Sequence, residues 1–185
     1  MKNKLLMILS VLAFVSSAQA ELKNVQHILG GLITRAGVKN QKPLNAQELN
    51  QLCEAGYTNA YFFYSGAGDQ RISCSGGKSI HYRSLNQNAA KDLVIANVAQ
   101  GLTTGEKTFI HCNNGAHATG YVAAVALRQF CGLSGEQAVN YWNSSLGGYP
   151  LQEPNRSAVH NRIRSFSPSA DMQLNNAQRA ALGCP

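Results

Sequence analysis

Hydrophobic and polar positions follow two different periods along the chain, and the change of period separates strands from helices. Residues 58–64 are rich in aromatic side chains, residues 79–85 alternate between apolar and polar side chains, and residues 108–111 form a short apolar run. These patterns are typical of strands. An earlier strand and turn is predicted within residues 27–38, where glycines mark tight bends.

Helical spacing of apolar residues recurs between these strands. Asn45 and Glu48 form the sequence pattern of a capping box, which predicts a helix that begins there and ends before Gly56. Residues 119–130 are apolar on nearly all sides, so this helix is expected at the centre of the fold. Further helices are predicted over residues 88–100, 134–142, 154–166 and 175–182.

Strands that alternate with helices predict an α/β domain, with a small central, mostly parallel sheet flanked by helices. Residues 65–77 are rich in glycine and serine and are predicted to form a loop that carries Cys74. The sequence contains neither an internal repeat nor a low-complexity linker. We therefore expect one domain over residues 21–166, with a C-terminal tail over residues 167–185 packed on it.

The first twenty residues have the pattern of a secretory signal peptide. Lys2 and Lys4 precede an apolar run over residues 5–15, and an A-x-A cleavage site ends at Ala20. A membrane anchor is the weaker alternative, because the apolar run is too short to cross a bilayer of about 30 Å as a helix. The sequence predicts cleavage after Ala20 and a periplasmic or secreted protein of bacterial style, without a membrane span after cleavage.

Charge adds a preference for anionic partners. The chain has 16 basic and 9 acidic residues, a formal charge of +7, and removal of Lys2 and Lys4 leaves 14 basic residues and +5. Such a surface favours a phosphorylated or otherwise anionic small molecule or protein. A basic surface that only keeps the chain dissolved is an equal alternative. Because no dense Lys/Arg run exists, we expect no nucleic-acid partner, and we expect a monomer.

Five cysteines follow the predicted signal peptide, and an exported chain keeps disulfides. An odd number leaves at least one thiol unpaired, and Cys112 is the natural candidate because it lies in the motif described next. The other four can pair in three ways. We favour Cys53–Cys74, which would tie a helix to a nearby hairpin region, and Cys131–Cys184, which would attach the tail to the domain.

Residues 108–124, TFIHCNNGAHATGYVAA, join an apolar strand to an apolar helix through a loop of small residues. Backbone N–H groups in such a loop, together with the helix dipole, form an anion site. The same donors favour the thiolate form of a cysteine at the mouth of the loop and make it a nucleophile. Thr119 could donate a hydrogen bond to that sulfur, and Gly115 and Gly120 allow close backbone approach.

These residues resemble the signature of the cysteine-based protein tyrosine phosphatases, above all their dual-specificity branch. The loop of that family reads His-Cys-x-x-Gly-x-x-Arg-Ser/Thr-Gly, and here His111-Cys112 is followed by Gly115 and Thr119-Gly120. The segments before the loop and the two helices after it follow the order of the family, so the resemblance covers residues 29–163.

The resemblance implies a role for each loop residue. Cys112 matches the nucleophile, His111 the residue that orients the loop, and Thr119 the hydroxyl that assists breakdown of a phosphocysteine. Simpler readings are a buried small hydrophobe for Cys112 and a core histidine bonded to backbone for His111. The remaining loop positions are the expected ligand-binding residues: Asn113, Asn114, Gly115, Ala116, His117, Ala118 and Gly120.

Two departures from the family weaken the catalytic prediction. Ala118 stands where the family has the arginine that grips the phosphoryl oxygens. The family's acidic loop here holds Asn86 and Asn88, which cannot protonate a leaving group. Asp92 is the nearest carboxylate, and it falls inside a predicted helix and is expected to face elsewhere.

Other residues could supply the missing charge. His117 is adjacent to the arginine position, although neighbouring residues on a tight loop point in different directions. More distant cations could also reach the loop: Arg71, Lys78, Arg83 and Arg156. A helix face carrying Arg156, His160 and Arg164 could bind an anion, but a solvated face is the stronger reading. The spacing of His111, Cys112 and His117 is not that of a zinc site, so we expect neither metal nor cofactor.

Three functions remain from the sequence. The first is an exported phosphatase-fold protein with absent or weak activity that binds phosphate-like or anionic ligands through residues 111–120. The second is an active cysteine-dependent phosphatase with unusual loop chemistry. The third is a thiol or redox role for Cys112. The first ranks highest because the arginine and the general acid are missing together.

Overall fold

The structure is a computed structural model that describes residues 22–185. The predicted signal peptide lies outside the described residues and remains a prediction. Six strands form one sheet in the order β1-β2-β6-β3-β5-β4. Their bounds are β1 Leu22–Ile28, β2 Ile33–Val38, β3 Tyr57–Phe62, β4 Asp69–Ser73, β5 Ser79–Ser84 and β6 Lys107–Cys112.

The four inner strands β2, β6, β3 and β5 run parallel, whereas β1 and β4 pair antiparallel at the two edges. The predicted fold class, an α/β domain with a mostly parallel sheet, is confirmed. Parallel strands place their carboxyl ends at the same edge of a sheet. Cys112, the last residue of β6, therefore lies at the edge where functional loops of such folds gather.

The two edge strands are the elements that the sequence did not predict correctly. The loop predicted over residues 65–77 contains β4, and the single early strand is a hairpin of β1 and β2. Polar side chains make up most of both missed strands, Leu22–Ile28 and Asp69–Ser73. An edge strand is only partly covered, so it lacks the apolar run that reveals an inner strand.

Residues 22–185 form six α-helices: α1 Ala46–Glu54, α2 Gln87–Thr104, α3 His117–Cys131, α4 Gly135–Ser144, α5 Asn155–Ser165 and α6 Asn176–Ala181. Helix α1 packs on one face of the sheet, and α2 to α5 form the layer on the other. The predicted capping box of α1 is present, since Asn45 and Glu48 exchange side-chain-to-backbone hydrogen bonds. Helix α3 is buried along almost its whole length, as the sequence predicted.

Two disulfides have the pairing that the sequence favoured. Cys53–Cys74 ties α1 to the segment after β4, and Cys131–Cys184 attaches the C-terminal tail to the end of α3. The tail also packs through Leu174, which is buried and whose amide donates to the carbonyl of Phe130. Among residues 22–185, no helix combines the length and apolar character needed to cross a membrane.

Candidate active-site loop

The candidate site is the loop that connects β6 to α3. Cys112 ends β6 and is only 3% exposed. Its sulfur lies 3.7 Å from Oγ1 of Thr119, a buried residue in the first turn of α3. Cys112 is the free cysteine among the five. The structure therefore brings together the cysteine and the threonine that the sequence assigned to this site.

Two glycines press the loop against β2. Gly115 has a φ of +64°, and a Cβ added there would lie 2.4 Å from the amide nitrogen of Gly37. A Cβ on Gly37 would lie 2.5 Å from the carbonyl carbon of Asn114. Both positions exclude a side chain because backbone meets backbone without space for one. The sequence indicated Gly115, whereas Gly37 was missed because its neighbour in the fold is remote in the chain.

Gly120, in the first turn of α3, likewise leaves no space for a side chain. A Cβ at this position would lie 2.8 Å from Oγ of Ser145 and 3.2 Å from the Trp142 indole. The missing side chain lets α4 pack directly against the start of α3. The close approach that the sequence predicted for Gly120 is thus the approach of Trp142 and Ser145 to the backbone of α3.

The carbonyl groups of the loop turn outward and are held by other elements. Nδ2 of Asn24 on β1 donates to the carbonyls of Asn114 at 3.4 Å and Gly115 at 3.1 Å. Nη1 of Arg35 on β2 also donates to the Gly115 carbonyl. The Trp142 indole donates to the carbonyl of His117 at 3.0 Å. These bonds fix the peptide groups of the loop from outside.

The amides of the same loop remain free. No side chain caps the N-terminus of α3. Within residues 22–185, the backbone N–H groups of residues 114–119 have no hydrogen-bond acceptor. Unsatisfied amides are rare in folded proteins and favour a bound anion where they converge near a helix start. The arrangement can accept the oxygens of a phosphate-like ligand.

Ala118 contributes only a methyl group, which packs against the main core cluster. His117 does not replace an arginine in this geometry, because its Nε2 lies 2.6 Å from the carbonyl oxygen of Tyr149 and donates to it. The loop itself therefore presents backbone dipoles and no arginine or lysine side chain.

The segment expected to carry a general acid instead forms the N-terminal cap of α2. Asn86 is the N-cap of α2 and accepts from the amides of Asn88 and Ala89, each at 3.0 Å. Asp92 pairs with Lys91 at 2.7 Å and lines a surface groove formed by α2 and the segment after α5. Within the described chain, no carboxylate has a hydrogen bond to the loop residues.

His111 is a buried, neutral histidine. It is fully buried, it stacks on Phe62, and its Nε2 lies 2.8 Å from the hydroxyl of Tyr82. Burial lowers the pKa of His111 to about 3. The Tyr82 hydroxyl accepts from the amide of Leu44, so its own proton is directed to His111. The expected core histidine is present, with a tyrosine partner in place of the expected backbone partner.

Two cations that the sequence analysis overlooked lie against the loop. Arg35 is fully buried beneath it, and Nζ of Lys23 on β1 donates to Oδ1 of Asn114 at 2.9 Å. A charged residue inside the otherwise apolar segment LITRAGV was the available signal for Arg35. No comparable sequence feature pointed to Lys23, because the strand β1 that carries it was not predicted.

The distant cations named from the sequence bond to residues outside the loop. Arg71 donates to Ser79, Arg83 to Tyr61, and Arg156 to Asn143. The pKa of the Glu54 carboxyl is lowered mainly by the hydrogen bond from the Ser75 amide, and the charge of Lys78 is a smaller contribution. Residues 22–185 also contain no cluster of three His, Cys, Asp or Glu side chains that could hold a metal.

The sheet and its helices form an α/β fold of the kind found in protein tyrosine phosphatases. A crystal structure of Tk-PTP in the active form is similar, with a TM-score of 0.52 at 13% identity, over 80% of this chain and 99% of that one. Human DUSP28 (TM-score 0.48, 14% identity, 78% and 93% covered) and P. aeruginosa TpbA (0.45, 17%, 82% and 86%) are also similar.

Sequence comparison does not extend this result. No protein-family model and no curated protein matches the chain. The similarity to Tk-PTP, at 13% identity, concerns the fold alone.

Proposed function

We propose that this is an exported pseudophosphatase, a phosphatase-fold protein with absent or weak activity that binds phosphate-like oxyanions through residues 111–120. The observation that carries the proposal is the unpaired row of amides over residues 114–119, whose carbonyl partners are held from outside. The ligand is a phosphorylated or otherwise anionic small molecule or protein. The leader-like residues 1–20 and the two disulfides support export to the periplasm or beyond.

Weak activity follows from the side chains at the loop. The phosphoryl group in the transition state carries negative charge spread over three oxygens. Removal of one well-placed donor to such a group costs about 3 kcal/mol, or roughly a hundredfold in rate. Ala118 removes such a donor, and Asn86 and Asn88 remove the acid. Neither loss disturbs the amides, so binding of the ground-state anion is retained while turnover is not.

A second candidate, an active cysteine-dependent phosphatase, is favoured by one contact, the 3.7 Å approach of Thr119 Oγ1 to the Cys112 sulfur. A hydroxyl at that position stabilises the thiolate as nucleophile and leaving group. The third candidate, a thiol or redox function, rests on the free thiol of Cys112 alone.

Phosphate titration by calorimetry, alongside an aryl phosphate hydrolysis assay, tests the proposal. We expect saturable phosphate binding and no hydrolysis above that of Cys112→Ser. Ala118→Arg should bind phosphate at least about tenfold more tightly, since a charge-assisted hydrogen bond is added. Leu102→Arg adds the same charge at an exposed site on α2 and should leave the affinity unchanged.

The outcomes separate the candidates. Hydrolysis by the unmodified chain that disappears in Cys112→Ser would establish the second candidate. Failure of both the unmodified chain and Ala118→Arg to bind phosphate would contradict an anion site in this loop.

A further inference from the structure

Arg35 is a buried cation whose bonds all go to neutral groups. Its guanidinium donates to Oε1 of Gln26 at 3.1 Å, to the carbonyl of Ser145 at 3.1 Å and to the carbonyl of Gly115. The residue is fully buried, and it forms no ion pair with a described carboxylate. Buried charges in proteins are normally paired, because an isolated ion loses its hydration without compensation. The structure thus calls for a negative charge near Arg35.

Cys112 lies on the same side of the sheet as Arg35. In the parallel ladder of β2 and β6, Arg35 is opposite Ile110, and Gly37 is opposite Cys112. Side chains at alternate positions share a face, so Arg35 and Cys112 both point toward α3. Burial lowers the pKa of Arg35, and negative charge at Tyr141 and Cys112 acts against that shift.

Tyr141 does not supply the negative charge. Burial raises the pKa of its hydroxyl above the ordinary value, so the group stays protonated at neutral pH. Of the two groups whose negative charge would favour the guanidinium, the Cys112 sulfur is therefore the one that remains. An oxyanion bound by the loop amides would have the same effect.

We infer that Arg35 is the internal cation of the anion site and acts from beneath the loop where Ala118 supplies no charge. Its guanidinium reaches the anion through a peptide group, since the Gly115 carbonyl that it binds is bonded to the amide nitrogen of Ala116. A cation on the carbonyl oxygen polarises the peptide and makes its N–H a stronger donor toward the loop interior. Arg35 is thus a positioning residue, and this role rests on the anion site proposed above.

The pH dependence of Cys112 alkylation by iodoacetamide tests this role without any need for phosphate binding. Arg35→Gln keeps hydrogen-bond donors but removes the charge, whereas Arg35→Lys keeps the charge. We expect the pH of half-maximal alkylation to rise by about one unit in Arg35→Gln, the order of magnitude for one lost charge acting within the protein interior. Arg35→Lys should stay closer to the unmodified chain, and phosphate affinity should follow the same order.

Arg83→Met is the matched control, because it removes an equal charge from β5, where the guanidinium binds Tyr61 outside the loop. It should alkylate as the unmodified chain does. If Arg35→Gln does not fold, Gln26→Glu takes its place, because it puts a carboxylate at the atom that accepts from Nε of Arg35 and so neutralises the charge without removing the side chain. The half-maximal pH of Gln26→Glu should then lie above that of the unmodified chain.

Two results would overturn the inference: an Arg35→Gln profile equal to that of the unmodified chain or, where that variant does not fold, a Gln26→Glu profile equal to that of the unmodified chain. Loss of phosphate binding with the alkylation shift intact would instead contradict the proposed function and leave the role of Arg35 standing.

Discussion

At the scale of single residues, Gly37 has no chemistry of its own, yet the loop depends on it. An alanine there would bring its Cβ to 2.5 Å from the Asn114 carbonyl carbon and 2.7 Å from the Gly115 amide nitrogen. Because these atoms are backbone, the loop itself must move. We predict that Gly37→Ala lowers phosphate affinity by more than tenfold in calorimetric titration, together with a loss of stability of roughly 1–3 kcal/mol from overpacking.

Gly101→Ala is the control variant for Gly37→Ala. Its Cβ would lie 2.4 Å from the Glu106 carbonyl oxygen, an equal clash remote from the loop. It should lose a similar free energy of unfolding and keep the phosphate affinity of the unmodified chain. Equal loss of affinity in both variants would show that general destabilisation, and not loop geometry, controls binding.

The lowered pKa of the buried His111 leads us to predict that the stability of the chain depends on pH. Its pKa is about 3 in the folded chain and near 6.5 when unfolded. Between these values the unfolded chain binds a proton that the folded chain excludes, so the free energy of unfolding falls as pH drops from about 6.5 toward 3. In urea unfolding at pH 7 and pH 4, His111→Gln should show a smaller decrease than the unmodified chain. An identical decrease would contradict a neutral, buried His111.

At the scale of elements, β1 acts as a clamp on the loop. Asn24 has a φ of +51°, a conformation that costs a non-glycine residue free energy, and it directs its amide to two loop carbonyls and to Ser145. We predict that Asn24→Ala and Asn24→Gly both weaken phosphate binding, since both lose the clamp. The glycine variant should be the more stable of the two in thermal unfolding, because glycine accepts this φ.

Asn40 is the matched control for the backbone conformation. It has a φ of +65° and is exposed. Asn40→Ala should cost stability and leave phosphate affinity unchanged. If Asn24→Ala behaves in the same way as Asn40→Ala, β1 does not hold the loop.

At the scale of the whole molecule, the two disulfides constrain segments of unequal length. Cys131 and Cys184 are 53 residues apart, and Cys53 and Cys74 are 21 apart. Cross-links that close longer loops remove more entropy from the unfolded chain. Replacing Cys131 and Cys184 by alanine should lower the free energy of unfolding by about 2–5 kcal/mol. The Cys53 and Cys74 pair should cost less in the same urea titration, and the reverse order would contradict this account.

Most of the fold could be predicted because its inner elements have strong patterns. The apolar strand β6 and the buried helix α3 are evident from composition alone, and capping residues locate α1. The edge strands β1 and β4 could not be predicted in the same way, because water and one neighbour cover them and their sequences stay polar. Local pattern therefore predicts the centre of the sheet better than its edges.

The candidate site divides in the same way. The loop from His111 to Gly120 is continuous in the chain, so its signature could be read directly. Arg35 and Asn24 contact Gly115 across 80 and 91 residues of sequence, and only the tertiary fold brings them there. The sequence thus indicated which residues the loop contains and that its arginine is missing. It did not indicate that Asn24 and Arg35 bind the loop carbonyl groups.

The position of Lys23 and Asn24 has a consequence for proteolysis. If the signal peptide is cut after Ala20, these two residues are the third and fourth of the exported chain. An aminopeptidase that trims four residues would therefore detach both contacts with the loop while it leaves residues 111–120, both disulfides and β2 to β6 intact. The number of residues removed from the amino terminus, measurable by mass spectrometry, would then determine the anion affinity of each molecule in a preparation.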